Sequence, residues 1–477
     1  MYSPRPTAFV TLRREAGDLQ GQLYHEIRGR ILNGGLAAGV RLPSTRQLAV
    51  SLGIARATVV AAYERLQAEG YVLNQAGKAS RVANIVPPLA APAPAALPRT
   101  APLARVVAQL PPYLEPGVPD LRSFPSALWG RLLASTVRQM PAALLGYTDS
   151  LGLPALKEAI LAHIALRRGV VALPEQVVLF PSTRTAMALI ARVVLRRASP
   201  HPPVVWVEDP AYPSAKRIFQ AEGGHLVPVA VDQSGLESEQ ASHLPAPRLI
   251  YVTPSHQYPT GVTMSLPRRL HLLELARQHG ALILEDDYDS EFQFNGRPIA
   301  SLQGIDHAGC VAYLGTLSKV LAPGVRLAYA VVPHSLLAEV QRATALEGIA
   351  VSAPTQAAFL AFLRDGHFGA HIKRMTSHYA ARMAAFRAAI LQFCPESLTP
   401  GPGTGGLQLA LWFNTPNFDD KAIATALRQH SYAPTPLSSM YSNAALAKAG
   451  LLCGIANLPV EQAPLAARVI ARFINAS

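Results

Sequence analysis

With 477 residues, half of them hydrophobic, and a formal net charge of +13, the chain has room for two or three domains and can bury a large core. Its three cysteines, Cys310, Cys394 and Cys453, lie too far apart for a metal motif or a disulfide framework. Arg5, Arg13 and Arg14 precede no apolar segment, so no secretory leader is visible, and no uninterrupted apolar run reaches membrane-spanning length. The chain reads as cytoplasmic, with no membrane partner.

Positive charge gathers at the N-terminal end. Residues 1–83 hold 11 Lys/Arg and 5 Asp/Glu, and residues 84–112 add 2 arginines and no acid. The other 365 residues are nearly balanced, with 30 basic and 25 acidic groups. A small basic domain suggests a polyanion partner, although charge alone also fits a solvated basic surface.

Within this head, Leu19, Leu23, Ile27 and Ile31 recur at i+4 and predict one apolar helical stripe, ended by Gly34-Gly35. Ser44 offers an N-cap for a helix over Thr45–Leu52, with Leu48, Ala49 and Leu52 facing inward. After a turn at Gly53, a third helix is expected over about Arg56–Glu69, burying Val59, Val60, Tyr63 and Leu66. Helix, short turn, helix is a helix-turn-helix, whose second helix enters the major groove by its N-terminal end. Tyr71-Val72-Leu73, a turn near Gly77-Lys78 and Arg81-Val82 suggest a two-stranded wing. Residues 36–82, with Leu-Pro-Ser-Thr-Arg-Gln-Leu-Ala and Ala-Arg-Ala-Thr-Val-Val-Ala-Ala-Tyr-Glu-Arg-Leu, resemble the winged helix of GntR-type transcription regulators. The resemblance implies double-stranded operator DNA as partner and contacts through Arg46, Arg56, Thr58, Gly77 and Lys78.

Residues 84–112 contain 8 prolines, 8 alanines and no glycine, which predicts a semi-rigid extended spacer between a head, 1–83, and a body, 113–477. In the body, short apolar runs (Val204–Val207, Leu249–Thr253, Ala281–Leu284, Val311–Leu314) alternate with amphipathic stretches such as Leu266–Gln278. That pattern predicts an α/β fold with a mostly parallel buried sheet, whose ligands gather at the strand C-terminal ends.

Polar groups fall at those ends. Leu282–Leu284 leads into Glu-Asp-Asp-Tyr-Asp, and Val311–Leu314 into Gly-Thr-Leu-Ser-Lys, with Arg326 seven residues beyond Lys319. A carboxylate (Asp286), a phenol (Tyr288), an amine (Lys319), hydroxyls (Thr316, Ser318) and a guanidinium (Arg326) are what a pyridoxal 5'-phosphate (PLP) site needs. Ser182-Thr183, opening a helix over Ser182–Leu195, adds a phosphate-binding N-terminus, although a plain serine cap fits equally. Tyr212 could stack on a planar ring or simply pack. Taken alone, Glu285, Asp286, Asp287 and Asp289 also fit a solvated turn or a divalent metal site. No histidine or further acid stands nearby in a metal-binding pattern, and no metal is expected.

Leu-Gly-Tyr-Thr-Asp-Ser-Leu-Gly-Leu-Pro-Ala-Leu (145–156), Thr-Pro-Ser-His-Gln-Tyr-Pro-Thr-Gly (253–261), Glu-Asp-Asp-Tyr-Asp-Ser-Glu-Phe (285–292) and Gly-Thr-Leu-Ser-Lys (315–319) make residues 113–477 similar to the fold-type I aminotransferases, and most of all to MocR-type regulators. The resemblance implies a Schiff base between Lys319 and PLP, with Asp286 at the ring nitrogen and Tyr288 at the phenolic oxygen. Tyr212 would stack on the ring. Ser182, Thr183, Thr316 and Arg326 would hold the phosphate, beside Ser318, with His256 and Gln257 near the ring edge. It also implies a homodimer with shared sites, with Tyr147 reaching the partner subunit's phosphate. Two positions depart from the family: Pro181 replaces a loop glycine, and Leu452 stands where aminotransferases hold the substrate carboxylate with an arginine. The expected function is therefore a PLP-dependent DNA-binding regulator that senses PLP or an amine. The alternatives are an active aminotransferase with an accessory head, and a scaffold that has lost its cofactor.

Overall fold

A computed structural model of the chain describes residues 10, 12, 17–73, 79–84, 110–146, 151–196, 202–241, 243–294, 300–415 and 418–475. Contacts divide it into two compact units, residues 1–109 and 110–477. The spacer expected over 84–112 falls mostly outside the described residues; at its end, the Pro112 carbonyl accepts a hydrogen bond from Asn457 at 2.8 Å.

The first unit is three helices and a wing. In α1 (Leu19–Leu32) the stripe buries Leu23, Ile27 and Ile31. Helix α2 (Thr45–Leu52) starts at Ser44, whose hydroxyl accepts from the Gln47 N–H while the Gln47 side chain takes the Ser44 N–H, each at 3.2 Å. This reciprocal cap satisfies two N-terminal donors and fixes where the helix begins. After Gly53, α3 (Arg56–Ala68) buries Val59, Ala62, Tyr63 and Leu66. Val60, expected in the core, is only half-buried. The i, i+3, i+4, i+7 spacing from Val59 selects Ala62, Tyr63 and Leu66 and turns Val60 aside. Strands β1 (Val72–Leu73) and β2 (Arg81–Val82) pair antiparallel, Val72 opposite Val82. Gly77 and Lys78 lie outside the described residues.

The second unit is built on an eight-stranded sheet. Its strands are β3 (Val177–Phe180), β4 (Val204–Asp209), β5 (His225–Asp232), β6 (Gly235–Leu236), β7 (Leu249–Val252), β8 (Leu282–Asp287), β9 (Val311–Thr316) and β10 (Ala328–Val331), in the order β3-β10-β9-β8-β7-β4-β5-β6. The run from β9 through β8, β7 and β4 to β5 is parallel; β10 is antiparallel to both neighbours, and β6 to β5. Helices cover both faces, so β3, β7, β8, β9 and β10 are buried throughout. The strands outrun the apolar segments that announced them. The ladder continues through Asp286 opposite Leu314 and Asp287 opposite Gly315, so acidic residues stand inside the sheet rather than beyond it.

A second, antiparallel sheet has the order β11-β12-β14-β13, from β11 (Leu398–Pro400), β12 (Gln408–Phe413), β13 (Thr435–Pro436) and β14 (Gly450–Gly454). One face, with Leu409, Leu411, Leu451 and Cys453, joins the largest core cluster.

A buried cation braces the loop after β7. Arg269, fully buried in the helix Leu266–His279, donates to the carbonyls of Met264 (3.0 Å), Ala300 (2.7 Å) and Pro254 (2.8 Å). Arg269→Met is expected to destabilise the body by about 3 kcal/mol or more, because buried carbonyls lose their donors. Chemical denaturation of the two proteins measures the difference.

Candidate functional site

Register alone brings most of the expected side chains to one edge. Ala328 lies opposite both Phe180 and Thr316. The segment after β3 (Ser182, Thr183), the residue two before β10 (Arg326) and the end of β9 (Thr316) are therefore neighbours, with Ser318 and Lys319 following. Asp286, in β8, is opposite Leu314 one strand over. All sit at the C-terminal ends of the parallel strands, where open α/β sheets bind ligands.

The Lys319 side chain is partly buried, and its Nζ donates to the Gly117 carbonyl at 2.5 Å. Gly117 has φ +73°, a backbone conformation that favours glycine, and a Cβ there would stand 2.9 Å from that amine. Burial pushes the Lys319 amine below its ordinary range, while Asp286 pulls it back. Asp286 accepts from the Tyr251 hydroxyl through Oδ2 at 2.8 Å. Its Oδ1 is buried and has no partner among the described residues. Burial pushes its pKa up to about 7, against the Tyr251 hydrogen bond. A second buried carboxylate, Glu208, is also pushed to about 7 by burial; Thr253 and Gln257 hold one oxygen, and the other has no partner among the described residues.

The rest of the acidic run is neither solvated nor clustered. Glu285 accepts from the Leu302 (2.9 Å) and Gln303 (3.0 Å) N–H groups. Asp287 pairs with Arg168 at 2.8 Å and accepts from Tyr313 at 2.6 Å. Asp289 pairs with His256 at 2.8 Å. The solvated-turn reading is therefore excluded.

Three aromatic rings stand in a row: Tyr212 to Tyr258 at 5.4 Å and Tyr258 to Tyr288 at 6.0 Å, both edge-on. Tyr258 was not among the residues expected. It sits between a proline and a glutamine, where sequence reads only a turn. The Tyr288 hydroxyl donates to the His256 carbonyl and accepts from Gln408, each at 3.1 Å. Tyr212 accepts from the Arg184 Nε (3.0 Å) and Nη2 (2.8 Å). Ser182 caps the helix Thr183–Leu195 by accepting from the Thr185 N–H at 3.2 Å, leaving first-turn N–H groups without intrahelical partners. Thr316 accepts from the Ser318 N–H at 3.1 Å. Arg326 is exposed.

Gln257 ties two loops together. Its amide donates to Glu208, to Pro210 and to its neighbour's carbonyl, and its oxygen accepts from Thr260. It braces two loops and has no donor left to offer a ring. His256 is likewise held between Asp289 and Gln293. Tyr147 lies outside the described residues.

Leu452, in the middle of β14, is fully buried and packs with Ala410, Leu437 and Met440 against Tyr258 and Trp412. On the head, Arg46 and Arg56 are exposed at the starts of α2 and α3, and Thr58 is half-buried.

The model of aminotransferase class I and II matches residues 131–468, and that of the bacterial regulatory proteins of the gntR family matches residues 19–82. The chain is 36% identical to the probable rhizopine catabolism regulatory protein MocR of Rhizobium meliloti, covering 91% of this chain and 89% of the relative. It is 29% identical to the pyridoxine biosynthesis transcriptional regulator PdxR of Corynebacterium glutamicum, covering 89% of each. An archaeal alanine:glyoxylate aminotransferase superposes with a TM-score of 0.72 at 24% identity, over 78% of this chain and 93% of that one. The chain is a MocR-type regulator.

Its body has the fold-type I aminotransferase architecture, and its winged head is that of a DNA-binding regulator. In this MocR-type body the residues present fit PLP. The unpartnered Asp286 Oδ1 can take a ring N–H, Lys319 can take the aldehyde, and the helix N-terminus with Thr316, Ser318 and Arg326 can take the phosphate.

The Asp286 shift has a testable consequence. A carboxyl whose folded pKa is raised stabilises the fold below its unfolded value, and that stability is lost as pH rises through about 7. Cofactor-free protein is therefore expected to melt at a lower temperature at pH 8 than at pH 5, and Asp286→Asn is expected to make the difference smaller. Thermal melts of both proteins across that range check it.

Proposed function

We propose that this regulator carries PLP on Lys319 and reports the cofactor's state to its DNA-binding head. The observation that carries the reading is the buried Asp286, with one oxygen unpaired among the described residues and its charge acting on the Lys319 amine; the family resemblance adds Leu452, which stands where aminotransferases carry the substrate-carboxylate arginine. The first pair holds a cofactor; the second withholds what a transaminase needs.

When bound, PLP supplies a reactive aldehyde and an electron-withdrawing ring. The chain's own groups would do the rest. Asp286 holds a proton at the ring nitrogen, with Tyr251 fixing its orientation. Tyr288, steadied by Gln408, turns its hydroxyl to the ring oxygen. The lowered Lys319 pKa keeps more of its amine neutral and able to react. Ser182, Thr183, Thr316, Ser318 and Arg326 anchor the phosphate. Tyr212, held by Arg184, packs on the ring. Transamination also demands that the substrate's Cα–H bond stand perpendicular to the ring, and loose orientation loses orders of magnitude in rate. A sensor needs only binding that differs between two states.

Sequence and fold do not carry an effector over. The relatives' names point to rhizopine catabolism in one case and pyridoxine biosynthesis in another, so both an amine and PLP itself remain within the reading. A homodimer, with sites shared between subunits and Tyr147 crossing over, belongs to the same proposal, as do Gly77 and Lys78 in the wing. Two tethered heads would bind an operator better than one.

Three measurements test this. Borohydride reduction of protein loaded with PLP is expected to fix the label on the peptide containing Lys319; a label elsewhere contradicts the assignment. Arg56→Ala is expected to weaken operator binding by about 1–3 kcal/mol if it reads a base, and affinity should fall steeply with salt. An Arg46→Ala, Arg56→Ala double variant with unchanged binding removes the head from the account. Standard amino acids and keto acids are expected to give little or no turnover; robust multiple turnover would instead favour the aminotransferase reading.

A further inference from the structure

Lys319 is tied to the segment through which the chain enters the body. Among the described residues, the hydrogen-bond partner of its Nζ is the Gly117 carbonyl. Residues 110–116, just before it, continue from the Pro/Ala-rich spacer and are laid along the small sheet. Asn457 donates to the Pro112 carbonyl at 2.8 Å. The Tyr113 N–H donates to the Ser431 carbonyl at 3.0 Å, and the Tyr113 carbonyl accepts from Ala433 at 2.7 Å. The Gly454 N–H donates to the Leu114 carbonyl at 2.8 Å. Tyr113 thereby bridges Tyr432, and Leu114 bridges Gly454 at the end of β14.

The backbone then bends toward the amine. Leu114 is fully buried and takes φ +64°, in the left-handed region that a leucine rarely adopts. The Glu115 carbonyl and Pro116 pass so close to Gly454 that no Cβ fits there. Gly117, at φ +73°, follows Pro116 as the second central residue of a type II turn does. Beyond the turn the chain is anchored again, where Asp120 pairs with Arg382 at 2.8 Å and its N–H donates to the Tyr379 hydroxyl at 3.0 Å. Between Leu114 and Asp120, Lys319 is the hydrogen-bond donor that holds the turn, among the described residues.

Condensation with an aldehyde removes that donor. Nζ forms a double bond to the aldehyde carbon, and the aldehyde oxygen leaves as water with two hydrogens of the amine. At most one hydrogen, that of the protonated form, stays on the nitrogen, and the ring oxygen of PLP competes with Gly117 for it. The added carbon also needs room. A Cβ on Gly117 would lie 2.9 Å from Nζ, so amine and turn are already in contact.

We propose that residues 110–117 form a strap through which the state of Lys319 reaches the spacer: the free amine holds the Gly117 turn down, and PLP on Lys319 releases it. This rests on the reading of Lys319 as the PLP lysine. Release of the turn loosens the holds at Leu114, Tyr113 and Pro112, because one short stretch of backbone carries them all. A Pro/Ala-rich chain is stiff enough to pass a shift of its root toward the head.

The test follows the N–H groups that cross the strap, in full-length protein, by hydrogen–deuterium exchange of peptides carrying Tyr113, Ala433 and Gly454. Loading with PLP is expected to speed their exchange about fivefold, the scale of one hydrogen bond, against the general slowing that a bound ligand brings. Lys319→Ala removes the donor with no cofactor present, so its cofactor-free form is expected to exchange fast at the same positions. Asn457→Ala cuts the strap away from the cofactor. Borohydride should still label its Lys319 after loading with PLP, while the ratio of operator affinities between free and loaded protein falls toward one. Exchange that is unchanged or slower on loading, with the label on Lys319 verified, overturns the proposal with no variant needed. So does slow exchange in cofactor-free Lys319→Ala, or an affinity ratio that Asn457→Ala leaves as it was. A failure of borohydride to label Lys319 in the unaltered protein would instead strike the underlying assignment of the cofactor.

Discussion

Everything in the body is arranged around a carboxylate that the fold buries and only half satisfies. Asp286 stands inside a strand, one oxygen held by Tyr251 and the other without a partner among the described residues. A buried charge in that condition is costly, and its pKa rises to about 7 accordingly. Glu208, similarly placed and similarly shifted, shows that the sheet end concentrates negative charge. The fold tolerates this because the surrounding carboxylates are each neutralised or bonded, Asp287 by Arg168 and Glu285 by two backbone N–H groups. Three buried carboxylate oxygens remain without partners among the described residues: Asp286 Oδ1, Glu208 Oε1 and Asp287 Oδ1. For Asp286, a protonated ring nitrogen is the complement that would remove the strain, and the proposed cofactor supplies one.

The departures from the aminotransferase pattern then acquire a common sense. Leu452 does not leave a hole: Ala410, Leu437 and Met440 close around it. An apolar cluster of that kind is stable without a ligand, whereas an arginine there would need an anion or a carboxylate partner. Ser182 serves as an ordinary helix cap after Pro181 and still leaves N–H groups for a phosphate. Under the proposed reading, a site that keeps its cofactor contacts and lacks the substrate clamp would suit occupancy sensing better than turnover.

Much of this was legible in the sequence, for reasons that can be named. The ligand edge of the sheet was visible because apolar runs give way to polar residues near Asp286 and Thr316, although the strands themselves continue through both, and the head because Ser44, Gly53 and the i+4 stripe of Leu19, Leu23, Ile27 and Ile31 punctuate it. What escaped was long-range. Tyr251 lies in an apolar strand and reads as core until its hydroxyl is seen on Asp286. Gly117 is one glycine in a proline-rich entry, and only the approach of Lys319 gives it a role. Tyr258 and Gln408 depend on loop and register geometry that no local pattern encodes. Gln257 was placed near the ring edge by resemblance; that its amide also braces Glu208 and Pro210 is long-range geometry of the same kind. Val60 shows a smaller limit: hydrophobicity suggested the core, and helical phase placed Ala62 there instead.

The central claim is that ligand state at Lys319 alters how the head binds DNA. The most direct measurement is the operator affinity of the full chain, at one salt concentration, in three states: cofactor-free, loaded with PLP, and loaded with PLP plus an amine that perturbs the bound chromophore. The account predicts that at least one of the two steps shifts affinity by about fivefold or more, the usual lower range of coupling between sites. Equal affinity in all three states, with occupancy at Lys319 verified, would contradict it.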